Sequence, residues 1–337
     1  METTEWSRAS GQYFNFSDNS AGDGPRGPIW YFAYKFDKPY AVYHELDLLE
    51  SGRYVHTDLG RLLPLYVYYA SKLDYQRISE PAAGMYAGRG ITPLVMVRTG
   101  WNGDQSDRYL AIKGGSSSTN HAHLDVGSFV YDAYGLRWAA DLGSQKYSDV
   151  ETPIKRLDGS FWSMKQNSLR WEVFRLGNRQ HNLLIVNDER YDVTGHAPLI
   201  GTVDDDESKG GSFDLSALYP GSLVSAVRTA VIKFGEYLEI SDALTAPAGK
   251  PASVRWNMVT PAAVELVEDG IVLTQKGKSL KLAASGADVQ YRTWSADPGD
   301  YESPLKGCDG PNPGMTICGF TFDIPAGESV IITTTLK

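Results

Sequence analysis

The sequence predicts a mainly β chain: a large antiparallel β-sandwich of stacked sheets, preceded by a few α-helices. Three observations carry this. Before about residue 82, apolar residues recur at helical spacing behind Pro and Asp. Near "SEPAAGMYAGRGITP" the period changes to two. From there, turn residues return about every ten positions, the rhythm of an all-β sandwich.

The first helical segment is "GPIWYFAYKF", with Pro28 where a first turn tolerates it. The second, "DKPYAVYHELDLLESG", has Asp37 placed to cap, Pro39 early and Gly52 closing. The third, "HTDLGRLLPLYVYYASKL", takes Thr57 or Asp58 as cap and shows an apolar face through Leu62, Leu65, Tyr66 and Tyr69. Three such segments are too few and too aromatic to stand alone. They fit the end of a larger helical array, or helices packed on another domain. The division expected is 1–82 helical and 83–337 β. The clearest strands are "LVMVRTGW", "RYLAIKGG", "GSFVYDAYGLRWAADLG", "NLLIVND", "TAVIKFGEYLEISDAL", "GIVLTQKGKSLKLAA" and "SVIITTTLK". Tyr134-Gly135, Gly235-Glu236 and Lys276-Gly277 are the expected hairpin turns. No helix is expected beyond residue 85, and "SKGGSF" and "GADVQ" are expected as loops.

Composition narrows the function. The 337 residues are 42% hydrophobic and 22% charged, an ordinary globular balance. A net charge of −9 argues against a broad nucleic-acid footprint, which needs a basic surface. No apolar run of about 18 residues offers a membrane span. "METTEWSRAS" lacks the apolar stretch of a signal peptide, so the expectation is a cytosolic protein or a leader absent from this chain. Cys308 and Cys318 are the only cysteines; the Gly/Pro-rich "GCDGPNPGMTICGF" could bring them together as a disulfide.

The chemistry concentrates in "KGGSSSTNHAHLDVGSF". In an extended chain alternate side chains share a face, so His121, His123 and Asp125 would point one way. Two imidazoles and a carboxylate converging suit Zn²⁺ or a similar ion, or pH-tuned proton transfer. Against this stands a polar loop whose histidines bond the backbone. The hairpin through Tyr134-Gly135 returns the chain so that Asp141 competes with Asp125 as the carboxylate. His181, opening the strand in "RQHNLLIVN", offers a third imidazole. His44, His56 and His196 have no companion signal and read as structural or surface residues. Gly115, His121 and His123 also fit the opening of a cupin motif, G-x5-H-x-H, but Gly127 and Ser128 stand where a cupin needs glutamate. A cupin-like iron or manganese oxygenase is therefore a distant alternative.

"KGGSSSTNHAHLDVGSFVYDAYGLRWAADLGSQKY", followed by "RWEVFRLGNRQHNLLIVN", resembles the heparinase II/III family of polysaccharide lyases. The N-H-x-H-x-D-x-G-S-F core, the R-W-A-x-D-L-G strand and the R-W…R…H-N segment stand in the family's order. Upstream, "YFNFSDNSAGD…WYFAYKF" and "LLPLYVYYASKL" look like the last helices of its (α/α) toroid. The resemblance implies a toroid followed by β-sheets, with a cleft between them. It implies zinc held by His123, Asp141 and His181, leaving Asp125 to fix the loop. It also implies β-elimination on a uronic-acid-containing polysaccharide. His121 then matches the cleft histidine that neutralises the carboxylate or transfers the proton, and Tyr147 an aromatic position near the site. The chain departs from the pattern upstream: "DNSAGD" is not the expected motif, and Tyr31, Tyr34, Tyr40 and Tyr43 cannot be matched to the toroid's tyrosine. The chain thus reads as the C-terminal part of a lyase, periplasmic or secreted, partnered by the rest of its toroid or by a second copy. A non-catalytic carbohydrate-binding or scaffold module is the alternative.

Among other residues, Arg170, Arg175 and Arg179 are candidates to bind substrate carboxylate or sulfate in fork geometry, or else strand-surface ion pairs. Trp101, Trp138, Trp162 and Trp171 are candidate sugar platforms, with core packing the better reading for Trp138 and Trp171. Lys113 with Gly114 and Gly115 resembles a phosphate loop only superficially. The Gly/Ser run is expected as a mobile approach to the cleft, and "DDDES" as a solvated acidic loop. The low basicity favours a short or modestly charged uronate chain.

Overall fold

The computed structural model describes residues 6, 8–22, 26–51, 67–101 and 105–337. A small hairpin opens it, β1 (Arg8–Ala9) and β2 (Gln12–Tyr13). Helices α1 (Gly27–Lys35) and α2 (Tyr43–Ser51) follow, joined by a 3₁₀ turn at Pro39–Val42. Pro28 stands in the first turn of α1 as expected. Asp37 does not cap the next segment: Lys38 holds the capping position and makes no side-chain capping bond there, while Asp37 has a φ of 51° and pairs with Arg77. Of the third segment, residues 67–70 are helical; Thr57, Asp58, Leu62, Leu65, Tyr66 and also His56 lie outside the described residues.

Three sheets make the body. The first is a meander of β3 (Gly84–Gly88), β4 (Leu94–Arg98), β5 (Arg108–Lys113), β6 (Phe129–Ala133) and β7 (Leu136–Ala139). The second joins β8 (Leu184–Val186), β13 (Ala252–Thr260), β18 (Thr316–Ile324) and β17 (Gln290–Ser295), in that spatial order. The third has eight strands. Its order runs from β14 (Ala263–Val267) through β15 (Gly270–Gln275), β16 (Lys278–Ser285), β19 (Ser329–Leu336), β12 (Tyr237–Thr245), β11 (Ser225–Lys233) and β10 (Ser208–Asp214) to β9 (Leu199–Asp204). A bridge between Ala140 and Val259 sets the first two sheets edge to edge. β4 packs on β10 and β5 on β11, and one continuous core joins all three sheets.

The two kinds of strand pattern have different causes. β12 alternates, with Leu238, Ile240, Asp242 and Leu244 inward, because its other face is not covered. β4 is buried at every residue, because Phe14 on the N-terminal segment packs with Leu94, Met96, Tyr109 and Val130 on the face away from β10.

The expected turns at Tyr134-Gly135 and Lys276-Gly277 each hold two positive φ angles, the geometry that matches strand twist. Gly235-Glu236 lies in a loop whose positive-φ pair is Phe234 and Gly235. Three expectations fail. "SKGGSF" is strand β10, not a loop: a Cβ on Gly210 would sit 2.0 Å from Ala230 O and one on Gly211 2.7 Å from Val95, so these glycines serve close packing. A helix does occur late in the chain, α3 (Tyr147–Arg156), with Val150 and Ile154 as its buried stripe; Pro153 inside it masks the signal. Cys308 and Cys318 are both free thiols, the first packed near α3 and the second buried in β18.

Asp242 faces Arg228 directly across β11 and β12, both fully buried. Two parallel bonds of 2.7 and 3.0 Å join them. Arg228 also donates to Gly127 O and Asn182 O, and Trp256 Nε1 donates to Asp242. Removing one partner strands a buried charge. Asp242→Ala is expected to cost about 3–5 kcal/mol in urea unfolding, whereas the double change Arg228→Met/Asp242→Leu recovers much of it. A loss below about 1 kcal/mol for the single change would show that the pair is not the clamp it resembles.

Candidate functional site

The segment "NHAHLD" is not an extended strand. His121 takes a φ of 62° and turns the chain, so the expected shared face is lost. The His121 side chain is 53% exposed, whereas His123 is buried. Asp125 is also fully buried and points away, onto Lys113 Nζ at 2.5 Å. Its other oxygen accepts from Ser17 N at 2.7 Å and Ser17 Oγ at 3.1 Å. Burial alone would raise the Asp125 carboxyl, but the charge of Lys113 wins and holds it at about 2. Asp125 therefore fixes a loop, and the loop it fixes is the N-terminal one.

That loop delivers Asp18. One Asp18 oxygen bonds His123 Nε2 at 3.0 Å. The other meets His121 Nδ1 at 3.1 Å, Arg170 Nη2 at 3.4 Å and the Tyr147 hydroxyl. Tyr147 OH also lies 2.7 Å from His121 Nδ1, and the two rings stack. Tyr147 is the first residue of α3, so the unexpected helix carries an expected site residue. Burial would lift the Asp18 carboxyl; hydrogen bonds from His123 and Tyr147, with the charge of Arg170, hold it below the usual carboxylate range. Burial and the bond to Asp18 push the Tyr147 phenol well above its ordinary value, so it keeps its proton at neutral pH. That one proton goes to Asp18. His121 must then carry its own proton on Nδ1 to bond either oxygen, which leaves Nε2 as a free acceptor facing out. The cluster thus offers a phenol that can give a proton and an imidazole that can take one.

Behind it, His181 Nδ1 bonds Asp141 Oδ2 at 2.6 Å, and the His181 and His123 rings lie 5.5 Å apart. Burial lowers His123, keeping it neutral. Burial acts the same way on His181, but the charge of Asp141 outweighs it and raises that imidazole. His123 Nδ1 and His181 Nε2 are buried without a hydrogen-bond partner among the described residues. Two orphaned imidazole nitrogens on neighbouring rings suit a metal ion. No group of three or more His, Cys, Asp and Glu is already gathered for a metal among the described residues, since Asp141 is engaged with His181 Nδ1 and Gly143 N.

The other candidates separate. Arg170 is fully buried, donating to Ala122 O and Phe161 O besides Asp18, so it braces the histidine loop. Arg175 is spent on Ser144 O, Pro311 O and Asn312, and Arg179 on Asp188; neither reaches the cluster. Trp101, Trp138 and Trp171 are buried, while Trp162 is 47% exposed and edges onto both His121 and Tyr147. His44 bonds Trp101 O and His196 approaches Ile91 O. The Gly/Ser run, expected as mobile, is tied down: Gly115 N to Ala197 O, Ser116 Oγ to Val193 O, Ser117 Oγ to His123 O. A concavity of about 410 Å³ borders the cluster, with Asp18, Asn120 and His121 in its wall.

The family model for the heparinase II/III-like C-terminal domain matches residues 96–313. The chain belongs to this family. Among solved structures, a heparan sulfate lyase HepC mutant from Pedobacter heparinus aligns at 15% identity and TM-score 0.65, over 98% of this chain and 44% of that one. A heparinase III gene product aligns at 14% identity and TM-score 0.63, with the same coverage. A further heparinase III aligns at 13% and 0.55, over 76% of this chain and 37% of that one. At these identities the likeness shows the shared fold, and this heparinase II/III-like chain spans under half the length of those structures. No curated protein matches.

Asp18 is the residue that sequence reading of this heparinase II/III-like chain missed; it stands 103 positions before His121, and "DNSAGD" carries no metal or acid–base spacing. Because Lys113 anchors Asp125 and through it the Asp18 loop, Lys113→Met is expected to lower stability by about 3–5 kcal/mol, read by chemical denaturation. A loss under about 1 kcal/mol would mean that another group neutralises Asp125.

Proposed function

We propose that this chain is the C-terminal, site-bearing part of a polysaccharide lyase that cleaves a uronic-acid-containing polysaccharide by β-elimination. The carrying observation is the exposed His121 ring held 2.7 Å from the Tyr147 hydroxyl on the half-buried Asp18 carboxylate. In the proposed reaction His121 Nε2 takes the proton from C5, the C5–H electrons form the C4=C5 bond, and the C4–O bond breaks. Tyr147 gives its proton to the departing glycosidic oxygen. As its proton comes off C5, the uronate carboxylate gathers negative charge, and a protonated His121 would offset it. Trp162 offers an aromatic edge beside the reacting pair. Heparan-type and alginate-type polymers are both candidate substrates, and the setting proposed is periplasmic or secreted. The remaining toroid, or a second copy, would complete the cleft.

The test is ultraviolet absorbance of an unsaturated uronate product, with alginate and glycosaminoglycan oligomers and the longest native polypeptide containing this chain. Tyr147→Phe and His121→Ala are each expected to lower kcat by about 10²–10⁴-fold. No product on any uronate polymer would sink the lyase reading. Binding without product would favour the non-catalytic module instead.

Zinc belongs to the same proposal. His123 Nδ1 and His181 Nε2 would hold it, with Asp141 turning from His181 to supply the carboxylate. Bound there, zinc would serve structure, tying the histidine loop to the start of β8. Asp18 on His123 Nε2 is the kind of carboxylate that orients a ligating imidazole. Elemental analysis is expected to find about one zinc per chain, lost in His123→Ala and His181→Ala together with a fall in Tm. His121→Ala should keep the metal; if it does not, the division between the two histidines is wrong.

A further inference from the structure

Arg179, set apart from the cluster, leads to a different surface. Asn257 Nδ2 donates to Arg179 O at 2.6 Å, and Asn257 Oδ1 accepts from Arg255 Nε at 2.7 Å. Arg255 lies on the outer face of the four-stranded sheet. In register it stands beside Thr321, which stands beside Gln290. Its guanidinium lies 3.7 Å above the Trp294 ring. Its Nη2 is buried and has no hydrogen-bond partner among the described residues. A concavity of about 630 Å³ opens over this face, lined by Arg255, Arg292, Trp294, Gln290, Asp288 and Asp323. It shares no lining residue with the concavity beside His121.

A buried guanidinium nitrogen without an acceptor is costly, and such groups are rare unless something meets them. Burial lowers the Arg255 guanidinium to about 10, with Arg179 adding to the effect, so it is still charged at neutral pH. The face therefore presents a fixed cation with one nitrogen unbonded; Asp188, which lines the same concavity, acts on its charge but is hydrogen-bonded to Arg179. Asp188, Asp288 and Asp323 in the same walls would repel a bare polyanion. They would accept hydrogen bonds from hydroxyls. One negative group amid several hydroxyls, beside an indole, is the outline of an acidic sugar residue.

We propose that this outer sheet face is a second carbohydrate site, holding one uronate residue through Arg255 and Arg292. It would retain the polymer while the His121–Tyr147 cluster acts elsewhere on the chain. The choice of uronate rests on the lyase reading, but binding is read here without turnover.

The experiment is calorimetric titration of the His121→Ala protein with a hexuronate tetrasaccharide, a neutral glucan tetrasaccharide and inorganic sulfate. The uronate oligomer is expected to bind best. Arg255→Gln and the exposed Arg292→Gln should each weaken that binding about tenfold. Trp294→Phe should abolish the accompanying change in tryptophan emission. Unchanged affinity in the Arg292→Gln protein, equal binding of the neutral glucan, or sulfate binding as tightly as the oligomer would each overturn the proposal. Should the uronate bind through Arg255 and Arg292 while no lyase product ever appears, the lyase reading fails and this site stands.

Discussion

Arg228 is the residue on which the rest is hung. It is a fully buried cation in the middle of an eight-stranded sheet, tolerated because Asp242 meets it with two parallel hydrogen bonds. Its third nitrogen spans two carbonyls that do not belong to its own sheet. One is Gly127 O, at the end of the histidine loop; the other is Asn182 O, next to His181. A single guanidinium thus fixes where the two buried imidazoles enter the site. Asn182 extends the clamp with its side chain, donating to Phe129 O and Ala140 O and accepting from Val259 N. The meander, the four-stranded sheet and the histidines are therefore registered by two adjacent polar side chains in an otherwise apolar core.

Charge in the site is arranged in nested pairs. Lys113 answers Asp125, Asp125 grips Ser17, and Ser17 places Asp18. Asp18 in turn receives His121, His123, Arg170 and Tyr147. Every buried carboxylate in this chain of contacts has a cation or several donors. What the cluster leaves open is the exposed side of His121, with Tyr147 and Trp162 beside it. The carboxylates behind are thus met, whereas His123 Nδ1 and His181 Nε2 are left without hydrogen-bond partners among the described residues.

Much of this was legible in the sequence where the signal is local. Tyr134-Gly135 and Lys276-Gly277 announce their turns because I′ geometry demands such residues. "TAVIKFGEYLEISDAL" announces a hairpin because one face is wet. The fold-back of the hairpin pointed Asp141 toward the histidine segment, and in the structure its carboxylate bonds His181, a residue that only the family resemblance had joined to it. What failed to show was conformational or distant. Gly210 and Gly211 read as part of a loop, although their lack of a side chain serves strand packing. Pro153 hid α3, and nothing in "NHAH" foretold a left-handed His121. Asp18 reaches the histidines across more than 100 positions with no period to betray it.

The N-terminal segment also settles what counts as one folding unit. Phe14 covers Leu94, Met96, Tyr109 and Val130, and three residues further on the same strap begins to grip the site. A boundary drawn at residue 96, where the match to the family model begins, would cut through β4 itself. A boundary drawn at β3 would leave that strand whole but bare an apolar sheet face and take Asp18 with it. Modular borders inferred from sequence likeness and borders set by burial need not coincide; here some 80 residues of chain, helices included, lie between a strap and the sheet it seals.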